Sequence, residues 1–271
     1  MSTRRAWLLV ALAAQPTPPT LTALADEHGA ELVLHPDWRG PVDEVDAAFF
    51  VGGPIATERR FLSEAVLLRR ILLARRPLLA IGTAAQLLAV SCGGRTTAAL
   101  DDDRGPSAVL LTDAGCVDRV LGAGPSPLPV FSWRPTALEL PATARPLAIS
   151  AFCGQQAFRI GRHAYGLQFH PEIDPHLIDA WRPQLGPDAL PRPAELDELT
   201  AAGRTLLEAF ARLSAASTRG PSRCPPPGRL DREAIAFEAA SPDTTAHGPG
   251  QQEARGRGSR RCDTSRPARD A

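Results

Sequence analysis

Three short stretches hold the residues whose types and spacing could do chemistry. Pro77 to Gly94, PLLAIGTAAQLLAVSCGG, is an apolar run that breaks at Gly82-Thr83 and resumes as a small-residue helix. Strand, sharp turn and helix in that order present a side chain, or backbone N–H groups, at the carboxyl edge of a parallel sheet, where open α/β folds place their sites. The tip of this turn is a glycine, so it has no side chain to present. A second stretch, Val51-Gly52-Gly53-Pro54, is a glycine loop after an apolar run, and on its own it reads as a turn. In the third, Tyr165 to Glu172 (YGLQFHPE), His170 stands two residues before Glu172 at a strand end. An imidazole and a carboxylate so placed make either a surface pair or a unit that moves protons.

The bulk numbers bound what such a site can be. The chain has 271 residues, and 44% of them are hydrophobic, enough to bury a substantial core. Its 30 basic residues balance 30 acidic ones, so no net field draws it to nucleic acid or to an anionic membrane, and neither is expected as a partner. Every basic residue is Arg, and without Lys there is neither a Schiff base nor a P-loop lysine. The five cysteines, Cys92, Cys116, Cys153, Cys224 and Cys262, are odd in number and widely spaced. With no C-x-x-C pair and no clustered His, they indicate neither a zinc site nor a disulfide framework; no metal and no cofactor is expected.

The elements that must position these residues follow from hydrophobic periodicity. Strands are expected at Trp7 to Leu12, Ala30 to His35 and Ala47 to Val51. Helices are expected from about Thr20 to His28, over Glu58 to Arg75, and after Gly82 to a glycine cap at Gly93-Gly94. Strands alternating with helices imply an α/β fold, a doubly wound and mostly parallel sheet with helices on both faces. Beyond Gly94 come short, largely antiparallel strands at Ala108 to Thr112, Val117 to Leu121, Val130 to Trp133, Leu147 to Phe152, Gln156 to Ile160 and Ala164 to Phe169. Helices at Pro175 to Trp181 and Ala194 to Ser214 close the domain, 1–214. Residues 215–271, rich in Pro, Gly, Arg, Ser and Asp, cannot bury enough apolar surface to offset their ordering entropy and read as a disordered tail.

Met1 to Ala14 has two arginines and a short apolar run, so it reads either as a buried first strand or as a weak signal peptide. The strand is preferred, which makes the protein cytoplasmic; cleavage would make it a secreted or envelope binding module. No run reaches the ~18 apolar residues of a membrane span.

Together the three stretches resemble the class I glutamine amidotransferase domain. There a strand-turn-helix G-[IV]-C-x-G-x-Q carries a Cys nucleophile, and G-x-Q-F-H-P-E supplies the His and Glu of a triad. The likeness covers most of residues 5 to 180. It extends to Val130 to Pro141 (VFSWRPTALELP), similar to the V-F-x-W-H-G-D-T-F-x-L-P stretch of one branch, and to the C-x-x-Q-A-F-R-x-G run at Cys153 to Gly161. The resemblance implies a flavodoxin-like fold with an antiparallel extension, and hydrolysis of the glutamine side-chain amide. It assigns His170 the general-base position and Glu172 the orienting one. The N–H groups near Gly52-Gly53 and of Thr83 fall at the oxyanion hole, and Gln86 falls beside the substrate.

Aligned without gaps, the nucleophile position is Gly82, which has nothing with which to attack. Ala80 and Ala84 stand where glycines usually flank the nucleophile, and the family's W-H-G-D appears as Trp133-Arg134-Pro135-Thr136. Cys92 lies about 15 Å along the helix, too far to replace the thiol. Thr83 and Cys153 remain as outside candidates. The expectation is a catalytically degenerate protein of this family, acting through glutamine, another small amide or carboxylate, or a protein partner. The alternative is an active amidotransferase or amide hydrolase with a displaced nucleophile, or with a water attacking under His170. With no synthase module in the chain, a synthase that accepted ammonia would be a separate protein.

Overall fold

In the computed structural model, residues 5–12, 16–35, 40–52, 58–150 and 154–217 are described. Nine strands form one sheet: β1 Arg5–Ala11, β2 Ala30–Leu34, β3 Ala47–Gly52, β4 Leu78–Gly82, β5 Arg95–Leu111, β6 Leu128–Glu139, β7 Ala144–Ser150, β8 Gly154–Ile160 and β9 Ala164–Leu167. Their spatial order is β2-β1-β3-β4-β9-β8-β7-β5-β6. The first five in that order run parallel, and every later pairing is antiparallel. The parallel half has the flavodoxin-like order, 2-1-3-4 followed by the last strand. β3 and β4 are buried along their whole length, as strands covered on both faces must be, and their residues are accordingly apolar or glycine.

Helices α1 (Pro19–Glu27) and α6 (Pro193–Ala216) cover one face, where Trp7, Phe49, Tyr165 and Phe210 share a core. Helices α2 (Glu58–Leu73) and α3 (Thr83–Ser91) cover the other, against Leu8, Val10, Phe50 and Ala80. The alternation Trp7-Leu8-Leu9-Val10 feeds both cores because successive strand side chains point to opposite faces. A third cluster joins Phe131 and Trp133 of β6 to α5 (Pro175–Leu185) through Ile178 and Trp181. α5 starts where expected because Asp174 caps it, accepting from the Leu177 N–H at 2.8 Å, with Pro175 as first helical residue.

The doubly wound sheet, the helices on both faces and the antiparallel extension agree with the sequence reading. One expected strand does not exist. Val117 to Leu121 is a turn that follows the short helix α4 (Asp113–Cys116). Local polar groups take the backbone donors there: the Thr112 hydroxyl accepts from Gly115 N–H at 3.0 Å, and Asp118 Oδ1 accepts from Val120 and Leu121. Val117, first residue of that expected strand, is 83% exposed.

Several elements are longer than periodicity suggested. β5 begins at Arg95 and β6 ends at Glu139, because the two pair with each other across polar positions. β1 lies between β2 and β3, the place a first strand should occupy. Among the described residues no helix is long and apolar enough to cross a membrane, and no group of His, Cys, Asp or Glu could hold a metal ion. Cys153, Gly53 and nearly all of the expected tail lie outside the described residues.

Candidate active site

The carboxyl ends of β3, β4 and β9 meet at one edge. Gly52 and Gly82 are register partners there, the last residues of their strands. Gly82 also caps α3, with φ +61° and ψ −127°, a backbone conformation in the left-handed half that L side chains rarely adopt. A side chain here would be strained, and glycine removes the strain. A Cβ on Gly82 would point at Gly52 O at 2.6 Å and at the His170 ring, 2.8 Å from Cε1 and 3.1 Å from Nε2. The position therefore has the direction of a nucleophile elbow, and the histidine is what it faces.

Gly52 is a glycine for a different reason, close approach. A Cβ there would lie 2.6 Å from Ala84 N and 2.8 Å from Thr83 N. Those two N–H groups open α3, whose amino end favours negative charge. Sequence reasoning named the N–H groups near Gly52-Gly53 and of Thr83; the Ala84 N–H, one residue further into the helix, stands beside Gly52 as well.

His170 is held by both its backbone and its ring. Its N–H donates to Phe131 O at 2.9 Å, and the neighbouring Ser132 bridges to Phe169, so β6 fixes the segment after β9. The ring Nδ1 lies 2.8 Å from Glu172 Oε1, with both side chains buried. Trp181 of α5 stands edge-on to the imidazole, ring centroids 4.9 Å apart at 73°, and Trp133 stands edge-on to Trp181 at 5.1 Å. Nothing in the spacing of α5 singled out Trp181 as a neighbour of His170.

The sequence-derived residues thus come together in part. Gly52, Gly82, Thr83, His170 and Glu172 converge on one sheet edge. Gln86 is buried one turn into α3, and its Oε1 has no hydrogen-bond partner among the described residues. Glu172 Oε2 and Ser132 Oγ are likewise buried without one. Cys92 lies at the far end of α3 and cannot serve this edge. Arg134 and Thr136 lie on β6, opposite Asp103 and Ala98 of β5.

Chemically, the arrangement offers N–H donors for a carbonyl or carboxylate oxygen and a histidine oriented by a carboxylate. At the elbow itself there is no reacting atom.

Comparison with known proteins agrees with this fold. The structure is similar to a glutamine amidotransferase from Thermotoga maritima, with a TM-score of 0.70 and 20% identity over 79% of this chain and 100% of that one. It is also similar to a glutamine amidotransferase from Methylobacillus flagellatus, with a TM-score of 0.65 and 16% identity over 82% and 99%. At these identities the likeness is one of fold. No curated protein matches the chain in sequence. The family model for glutamine amidotransferase class-I matches residues 26–180, more than half of the chain, and the protein belongs to that family.

Proposed function

We propose that this protein is a catalytically degenerate class I glutamine amidotransferase that acts by binding rather than by hydrolysis. The observation that carries the reading is the glycine at the elbow with the His170 ring set against it, 2.8 Å from where a Cβ would lie. Covalent glutaminase chemistry needs a nucleophile at that point, and backbone atoms cannot supply one. The Thr83 and Ala84 N–H groups suit an amide or carboxylate oxygen, which makes glutamine or a small relative the ligand class. A separate synthase, or another protein partner, would read the bound state. Ammonia and glutamate release from glutamine by the purified protein is the deciding assay; turnover above about 1 s⁻¹ would sink the proposal.

One observation favours a second reading. A vacant site has no catalytic need for a buried His–carboxylate contact, and His170 and Glu172 keep one at 2.8 Å. In that reading water is the nucleophile: His170 takes its proton, oxygen bonds to the amide carbon, and nitrogen leaves as ammonia once protonated. A displaced side-chain nucleophile, Thr83 or Cys153, would instead form a covalent adduct. Labelling with a glutamine-mimicking electrophile, mapped by mass spectrometry, separates these: no adduct removes the covalent version.

A further inference from the structure

The opposite edge of the sheet carries a second feature. Leu78 N–H donates to His163 O at 2.9 Å where β4 begins, so the turn between β8 and β9 lies at the amino end of the parallel strands. Gly82 and His170 lie at the carboxyl end, and the seven steps of extended chain from His163 to His170 span about 20 Å. Beside that turn is a cavity of about 260 Å³ lined by Arg119, Arg145, Arg159, Arg162, His163 and Asp118, with Tyr165 at its wall.

We propose that this cavity binds a compact multivalent oxyanion, a phosphoryl group or a small polycarboxylate, between the guanidinium groups of Arg119, Arg145, Arg159 and Arg162. The charge count favours it. Four arginines and one carboxylate line the cavity, an excess of three positive charges in a chain whose formal charge is zero. The single carboxylate is already engaged: Asp118 Oδ2 accepts from Arg159 Nε at 2.9 Å and from the Tyr165 hydroxyl at 3.4 Å, while Oδ1 accepts from the backbone of Val120 and Leu121. Among the described residues, Arg119, Arg145 and Arg162 form no ion pair. Like charges that converge without a counterion repel, and a bound anion removes that cost.

Shape and hydrogen bonding agree with the charge. Planar guanidiniums match the paired oxygens of phosphate or carboxylate, and a volume below the ~300–1,000 Å³ of drug-sized ligand sites selects a small anion over a nucleotide. His163 Nδ1 is buried and has no hydrogen-bond partner among the described residues. Burial and the surrounding arginines hold the His163 pKa below its ordinary value. This site does not depend on the state of the Gly82 turn.

The test is calorimetric titration of the full chain at low salt with pyrophosphate and, separately, with citrate. Saturable binding of at least one is expected, weakened roughly tenfold or more in the double variant Arg145→Ser/Arg162→Ser and unchanged in Arg212→Ser, an exposed arginine of α6. Arg145 and Arg162 are exposed, so the double variant should fold, which its unfolding midpoint checks. Binding of pyrophosphate alone assigns a phosphoryl ligand, and binding of citrate alone assigns a carboxylate. No saturable binding of either, or equal affinity in the double variant, overturns the proposal.

Discussion

The imidazole of His170 fills the space that a side chain on Gly82 would need: a Cβ there would lie 2.8 Å from His170 Cε1. The ring cannot retreat freely, since Trp181 stands edge-on to it and Glu172 holds its Nδ1. Gly82→Ala should therefore destabilise the domain by about 1–3 kcal/mol from the backbone conformation alone, with the crowding against the ring and Gly52 O added to it. Denaturant unfolding measures this directly, and a variant as stable as the parent would show that the elbow carries no strain.

Restoring the thiol should not restore the enzyme. In Gly82→Cys the sulfur enters the same crowded space, so the histidine must move before it can act as a base, and its contact with Glu172 is disturbed. We expect the stability loss of the alanine variant and no glutamine-dependent ammonia release above background. A variant that turns over glutamine would mean that the missing sulfur is the site's sole defect.

Much of this edge was legible in the sequence because its signals are local. The break at Gly82-Thr83 in an apolar run and the His170-Pro171-Glu172 spacing each lie within a few residues, and short-range pattern carries such information well. Gln86 and Thr83 were placed by the resemblance to the amidotransferase family, through the motif that follows Gly82. What stayed hidden depends on tertiary approach. Trp181 reaches His170 only because β6 and α5 pack together, and the cavity arginines come from three stretches, the turn after α4, β7, and β8 with the turn that follows it. The false strand at Val117 to Leu121 shows the converse failure. Its apolar residues fitted a strand, but Thr112 and Asp118 supplied turn hydrogen bonds that periodicity does not weigh.

Removing the carboxylate next to His170 tests whether the pair has become structural. Glu172→Ala leaves the buried Nδ1 without its partner, a loss of about 1–3 kcal/mol, read as a lower urea midpoint. An unchanged midpoint would indicate that the contact contributes nothing net to folding.

Asp118 should act on stability and ligand affinity in opposite directions. Asp118→Asn weakens the charge-assisted contact to Arg159 at 2.9 Å, at a cost of about 1–3 kcal/mol, yet leaves the cavity one charge more positive. The expected result is a less stable apo protein that binds pyrophosphate or citrate more tightly than the parent. Weaker binding by a folded variant would count against an electrostatic site.

His163 should make folding less favourable in acid. Its pKa in the folded chain is lowered, first by burial and then by the charges of Arg162, Arg119, Arg75 and Arg159, with Asp118 and Tyr165 also at the cavity. The unfolded chain has the ordinary value near ~6.5. Above that pH neither state binds the proton and the residue costs nothing. As pH falls below it, the unfolded state takes up a proton that the folded state refuses, so stability declines until the folded value is passed. In His163→Gln this contribution disappears, and the urea midpoint should fall less steeply between about pH 6.5 and 5 than in the parent. Parallel curves for the two proteins would show that His163 titrates alike in both states and that the arginines around it are already neutralised.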